Sequence, residues 1–240
     1  MDLTIHEITG GNVERLDALL ELFAELFPAY PHTLPSLCQR AQRSANANPL
    51  FTEHQWLIDI DGQAAAMSVF KYVPKRNLGL EIALAVRPAY RKLDLGNYQH
   101  LSEFLIAAAG EQLQADALAA GCPKPTGLVL EVVAPKLVTR FREYGLLELP
   151  VEYYEVRFSQ GRPMVLSPDE LEKVEFYRAQ LGIFPLDGRK VDVDDPALLS
   201  DAVLAFLIDH YGLPQDHWIV HRAIKSIRGI VERKEKTGYG

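Results

Sequence analysis

The chain has 240 residues, 48% apolar and 24% charged, the composition of a globular protein with enough length for one sizeable core or for a core and a smaller appendage. Its formal net charge of −7 argues against a general nucleic-acid binder, which needs a broad basic field. Two cysteines, Cys38 and Cys122, are too few for a disulfide framework. No apolar run has the length of a membrane span, and the opening MDLTIHEITGG has neither a basic nor an apolar leader region, so a cytoplasmic protein without a membrane partner is expected.

Residues 2–9 alternate Leu3, Ile5 and Ile8 with polar residues and read as a first strand, broken by Gly10-Gly11. Asn12 is placed to cap a helix carrying Leu16, Leu19, Leu20, Phe23 and Phe27 on one stripe, which Pro28 stops. Thr33, with Pro35 behind it, opens a second helix running to about Ala45. Three strands follow. Gln55–Ile60 and Gln63–Val73 are joined by Asp61-Gly62, a hairpin signal, and Leu78–Val86 is apolar enough to be covered on both faces. A long helix is predicted from about Gly96 to Ala119 and ended by Gly121. A strand at 128–133, a helix from Pro135 to about Glu143 ended by Gly145, and strands at 151–158 and 163–166 complete the series.

The order is β-α-α-β-β-β-α-β-α-β-β, an α/β (α+β) arrangement with a mixed central sheet flanked by helices. A tail begins at Ser167. Ser167-Pro168-Asp169-Glu170 is a capping box, a second tail helix is expected between Asp195-Pro196 and Gly212, and a third from about Gln215 to Glu232. The division expected is therefore a domain over 1–166 and a helical extension over 167–240.

The stretch Glu81–Leu101, EIALAVRPAYRKLDLGNYQHL, reads as a strand, a tight turn and a helix start, which gathers backbone N–H groups and the positive end of a helix dipole toward an anion. Val86-Arg87-Pro88-Ala89-Tyr90-Arg91 followed by Leu95-Gly96 resembles the pyrophosphate-binding motif of the GNAT N-acetyltransferases, V-x-P-x-x-R-x-x-G-x-G/A, and the element order over roughly two-thirds of the chain resembles that family's fold.

The resemblance implies an acyl-CoA-dependent N-acyltransferase, with acetyl-CoA or another CoA ester as co-substrate and an amine of a small molecule or protein as acceptor. It implies that the amides of Lys92, Asp94, Gly96 and Asn97 hold the pyrophosphate, with Arg91 at the family's Arg position and the strand edge near Val86 along the pantetheine arm. Asp94 departs from the family, which has Gly there, and it puts a negative charge beside the expected pyrophosphate. The alternative is a GNAT-fold binding or regulatory protein without transfer activity.

Direct transfer needs a group to take the amine's proton and one to protonate the leaving thiolate. Glu81, an acid within an apolar strand, is the candidate base; the other reading has it facing solvent or paired with Arg76. The family's acid, a Tyr four residues before the helix-ending Gly, falls on Phe141. Tyr144 is the nearest phenol, about 300° further round the helix, and a packing role under Gly145 stands beside a catalytic one. Tyr30 and His32 lie in the loop that borders the acceptor site in such folds. His217 and His221 have ligand spacing but share a stripe with Val220, Ile224, Ile227 and Val231, so core or interface histidines are expected and no metal site. Asp192, Asp194 and Asp195 suit an acidic helix N-terminus better than a calcium loop. The tail is expected to pack on the sheet, complete the acceptor site or form a homodimer contact.

Overall fold

The structure is a computed structural model that describes residues 1–43, 50–159, 162–164 and 178–237, without the side chains of 157–159, 162–164 and 231–237. The architecture is mixed α/β, strands and helices in the expected order as far as α4, and the chain divides into two compact units. The first comprises Met1–Lys75 and Glu81–Lys124, the second Arg76–Leu80 and Pro125–Gly240.

In the first unit, β1 (Leu3–Glu7), β2 (Thr52–Ile60), β3 (Gln63–Val73) and β4 (Leu78–Val86) lie in that order. The β2–β3 hairpin turns on Asp61 at φ 50° and Gly62 at φ 77°, the paired left-handed residues that a two-residue turn matching strand twist requires. Side chains alternate between the two faces of this hairpin. Leu57, Met67 and Val69 join a core with Leu19, Leu22 and Phe23 of α1 (Leu16–Leu26) and Leu37 and Ala41 of α2 (Leu34–Gln42). The opposite alternation carries His54, Trp56 and Phe70, and His54 reaches Asp116 of α3 (Leu101–Ala119), so α3 covers the other face. Helix α1 starts at Leu16 rather than at Asn12. Arg15 enters it with φ 67°, and the Asn12 carboxamide instead accepts the N–H of Glu14.

In the second unit, Leu78–Leu80 of β4 is followed by β5 (Gly127–Val132), β10 (Arg178–Pro185) and β6 (Leu147–Glu148), with β7 (Tyr153–Tyr154) also on β10. Helix α4 (Pro135–Glu143) packs Phe141 edge-on to Phe184 of β10 at 5.9 Å. The strand expected over 151–158 is divided between β7 and β8 (Arg157–Ser159), which pairs with β9 (Arg162–Met164); Gln160, Gly161 and the capping box at Ser167 lie outside the described residues.

The boundary after residue 166 is not where the chain divides. Tail residues Arg178–Pro185 form β10, antiparallel to β5 and to β6, so part of the supposed helical extension is a strand within the sheet. Two glycines permit this insertion. A Cβ on Gly127 would come 2.5 Å from Ile183 Cγ1 and 2.6 Å from the Phe184 carbonyl oxygen, and one on Gly182 would come 2.6 Å from Leu146 Cδ1.

Helix α5 (Pro196–Leu204) is capped by Asp195, whose carboxylate accepts the Ala197 N–H at 3.0 Å, and runs on as a π-helical turn over Ala205–His210. It packs on α6 (Trp218–Thr237), which buries Ile219, Val220, Ala223, Ile227 and Ile230. His221 is exposed, off that buried stripe, while His217 Nδ1 accepts the Ile219 N–H at the helix start. The tail is fastened within its unit by Arg76 to Asp201 and Asp209, and by Arg222 to Glu152.

Candidate functional site

The corner after β4 is built by side chains that reach backward. Arg87 donates to the Ala64 carbonyl at 2.6 Å and pairs with Glu25 of α1 at 2.7 Å, which fixes the strand exit against α1 and β3. Pro88–Tyr90 makes a single 3₁₀ turn. Arg91 Nε then donates to the Val86 carbonyl at 3.0 Å, and the Arg91 carbonyl accepts from His100 Nδ1 at 2.9 Å, closing the loop at both ends.

The helix does not begin at Gly96. Gly96 stands at φ 72°, in the left-handed region that a right-handed helix excludes, and α3 starts at Leu101 after an extended His100 (φ −144°, ψ 143°). The amides between are put to local use. The Leu93 N–H reaches the Tyr90 carbonyl, Leu95 the Tyr98 carbonyl, and Gln99 the Glu103 carboxylate at 2.9 Å. The Asp94 carboxylate accepts the Gly96 N–H at 2.9 Å. One of the four amides matched to the pyrophosphate is therefore held by the side chain that replaces the family's glycine, and the Val86 carbonyl is held by Arg91. Lys92, Asp94, Gly96 and Asn97 lie together in this exposed loop, ahead of the helix rather than in its first turn.

Glu81 sits in the middle of β4, 6% exposed. Ser68 Oγ donates to its Oε1 at 2.9 Å, and Oε2 has no hydrogen-bond partner among the described residues. Burial pushes its carboxyl well above the ordinary range, and the hydrogen bonds from Ser68 and the Val69 backbone only partly oppose this. Ser68 pairs with Trp56, which places the contact on the α3 face of the sheet. The expected alternative partner is otherwise engaged: Arg76 Nε and Nη1 bind Asp209 at 2.8 Å and Asp201 at 3.1 Å.

Tyr144, in the second unit, caps α4 at φ −91°, ψ 4°, its ring 6.1 Å from that of Phe141. Gly145 at φ 94° ends the helix, and the Leu146 N–H returns to the Phe141 carbonyl at 2.9 Å.

Two partly buried charge clusters had no counterpart in the sequence reading. In the first unit His54 lies between two carboxylates, Nδ1 donating to Glu7 at 2.7 Å and Nε2 to Asp116 at 3.0 Å, which lifts its pKa to about 9 against the opposing effect of burial. In the second, both oxygens of Glu131 meet phenols, Tyr153 and Tyr211, and burial raises its carboxyl to about 7. The signal for Glu131 was the one that marked Glu81, a lone acid inside an apolar strand.

Among the described residues no helix is long and apolar enough to cross a membrane. No family model and no curated protein matches the chain. Solved structures that it resembles include a tandem GNAT protein from the clavulanic acid biosynthesis pathway, at 16% identity and a TM-score of 0.47, covering 71% of this chain. The chain spans 57% of that protein's length. They also include a Bacteroides thetaiotaomicron protein assigned to the GNAT-family acetyltransferases, at 15% identity over 88% of this chain and 99% of that one, with a TM-score of 0.49. A third is spermidine N-acetyltransferase from Vibrio cholerae in complex with CoA and spermine, at 14% identity over 75% of this chain and 93% of that one, with a TM-score of 0.45.

Proposed function

We propose that the chain is a GNAT-type N-acyltransferase that moves an acetyl or other short acyl group from CoA to an amine by direct transfer. The observation that carries this reading is the corner itself: a strand bearing a buried acid, Glu81, runs through Val86-Arg87-Pro88 into a loop of backbone amides ahead of a long helix. In this reading the loop of Lys92, Asp94, Gly96 and Asn97 takes the pyrophosphate, with Arg91 pinning its start.

The chemistry asked of the chain is small. Burial raises the Glu81 carboxyl, and among the described residues Oε2 has no hydrogen-bond partner. An ammonium drawn to that oxygen favours the ionised carboxylate, whose own proton passes to solvent, and the carboxylate then takes one ammonium proton and leaves a free amine. The amine nitrogen attacks the thioester carbonyl, the C–S bond breaks, and the proton left on the nitrogen passes to the departing thiolate. An acceptor such as a polyamine, which the Vibrio cholerae enzyme binds as spermine, fits this requirement for a cation.

A second reading is favoured by one specific contact. With the Gly96 N–H bound to Asp94, the corner is closed by its own side chain, as expected of a GNAT-fold protein that binds a partner without transferring an acyl group. Titration calorimetry with acetyl-CoA separates the two. The transferase reading expects binding by the wild type, at least tenfold tighter binding by Asp94→Gly, and loss of turnover with retained binding in Glu81→Gln. Absence of binding by both the wild type and Asp94→Gly at millimolar acetyl-CoA sinks it.

A further inference from the structure

Two apolar stretches of the first unit each carry one polar side chain, and the two meet. Ser68 interrupts the apolar run 65–70 of β3, and Glu81 is the sole polar side chain of β4, LGLEIALAV. The Ser68 hydroxyl donates to Glu81 Oε1 at 2.9 Å. Ser68 is 0% exposed, beyond the reach of bulk water, so a hydroxyl at that position needs a partner inside the protein, and the carboxyl supplies it. Glu81 Oε2 has no hydrogen-bond partner among the described residues. The contact is therefore asymmetric: one oxygen is held and the other is not.

We propose that Ser68 is the positioning residue of the base: its hydroxyl fixes Oε1 and leaves Oε2 as the oxygen that receives the proton of the acceptor's ammonium. What Glu81 does rests here on the acyl-transfer reading; how Glu81 is held rests on the contact alone. The hydrogen bond holds the carboxyl against turning about Cγ–Cδ, and a donating hydroxyl favours the ionised form that a base requires. Oε1 already binds a hydrogen and is the weaker acceptor. The ammonium N–H therefore breaks toward Oε2: the new O–H bond forms there, the electron pair stays on nitrogen, and the amine is free to attack. Without Ser68 the Val69 backbone is left to support the charge, and the carboxyl keeps its proton to a higher pH.

Other titratable groups on this face of the sheet are committed elsewhere. His54 of β2 is held by Glu7 of β1 and Asp116 of α3, Tyr72 of β3 lies against Cys122, and Glu103 of α3 takes the Gln99 N–H. Burial raises the Glu81 carboxyl, and Ser68 and the Val69 backbone oppose the rise, with no neighbouring charge contributing among the described residues. Ser68 is thus the side chain through which the basicity of Glu81 is set.

A carboxyl ¹³C titration of the full chain, with the Glu81 resonance assigned by its absence in Glu81→Gln, reads the contact whether or not acyl transfer occurs. Ser68→Ala should raise the proton affinity of Glu81 about tenfold, and Ser68→Thr, which keeps the hydroxyl, should restore it. Should the added methyl of Ser68→Thr prevent folding, Ser68→Cys, with its weak S–H donor, should fall between the wild type and Ser68→Ala. Transfer from acetyl-CoA to spermine reads the role. Wild-type kcat/KM should rise with pH through the Glu81 midpoint; in Ser68→Ala it should fall about tenfold below that midpoint and recover at higher pH, a recovery that a merely structural defect does not give. A Glu81 titration that Ser68→Ala leaves unmoved overturns the proposal, as does a transfer profile unchanged in that variant. A moved titration with no transfer by the wild type supports the hold on Oε1 and counts against the acyl-transfer reading with this acceptor, so the two failures are told apart.

Discussion

The His54 cluster yields the most exacting test of the first unit. Its imidazole is flanked by Glu7 and Asp116, and the Glu7 carboxylate also takes the Trp56 indole N–H at 2.8 Å, the Thr9 hydroxyl and the Gln55 amide. The folded protein holds His54 as imidazolium, with a pKa of about 9 against an ordinary 6.5. A group raised on folding contributes its full stabilisation below its unfolded pKa and loses it as the pH climbs through the folded one. The rise corresponds to roughly 3 kcal/mol, present at pH 6 and gone by pH 9.5. Glu7 behaves in the opposite sense. Its lowered pKa contributes above 4.5 and is lost as the pH falls, so the cluster is at full strength only between about 4.5 and 6.5.

Urea unfolding followed by Trp56 fluorescence, in a Trp218→Phe background that leaves one indole in this unit, measures the effect. Trp56 stands 6.3 Å from the His54 ring and 4.6 Å from Phe70, so it reports on the cluster directly. The parent should lose about 2–3 kcal/mol between pH 6 and pH 9.5. His54→Gln should be less stable at pH 6 by a similar amount, because two carboxylates lose their buried cation, and nearly flat over that interval. Parallel pH profiles for the two proteins would show that the imidazole is not charged in the folded state, and the account of the cluster would fail.

Two further perturbations probe the second unit. Gly127→Ala should cost about 2–3 kcal/mol, because its Cβ meets the Phe184 backbone oxygen, which cannot move without disturbing the β5–β10 ladder; Gly182→Ala has its three nearest contacts in the Leu146 side chain, which can shift, and should cost about 1 kcal/mol. Thermal unfolding that ranks the two in the opposite order contradicts the packing described. Asp209→Asn should weaken α5 and the following turn more than Asp201→Asn, since the Asp209 side chain is 15% exposed and the Asp201 side chain 40%. Equal effects in chemical denaturation would mean that Arg76 does not discriminate between them.

Much of the first unit was legible because its signals are local. Asp61-Gly62 announces the hairpin, and the stripe of Leu16, Leu19, Leu20, Phe23 and Phe27 announces α1, which buries Leu16, Leu19 and Phe23 of that stripe together with Leu22. The misread parts depend on distant partners. The strand at Arg178–Pro185 has a short apolar run interrupted by Gly182, and only the presence of Leu146 explains why a glycine belongs there. Gly96 looked like the opening of a helix, yet the residue type that suits a helix-start anion site also suits a left-handed turn, and the Asp94 carboxylate two residues back selected the turn. Glu81 and Glu131 were equally conspicuous as acids in apolar strands. Their chemistry diverges because Ser68 lies on the neighbouring strand, whereas Tyr211 comes from the far end of the chain.

The closed corner after β4 weakens the case for a CoA site without removing it, and the magnitudes show why. The Asp94–Gly96 contact is an exposed hydrogen bond to a charged acceptor, and turning it away costs roughly 1–2 kcal/mol, about a tenfold loss of affinity. Repulsion between the carboxylate and an arriving pyrophosphate adds to this and is screened by salt at an exposed position. The late start of α3 acts separately, since the dipole's influence falls off within the first turn and Lys92–Asn97 lie ahead of it. Asp94→Gly removes the hydrogen bond and the charge while leaving the helix start and the left-handed Gly96 in place. A large gain in acetyl-CoA affinity therefore assigns the weakness to the side chain. A small gain from measurable wild-type binding assigns it to the displaced helix, which no single substitution in the loop repairs.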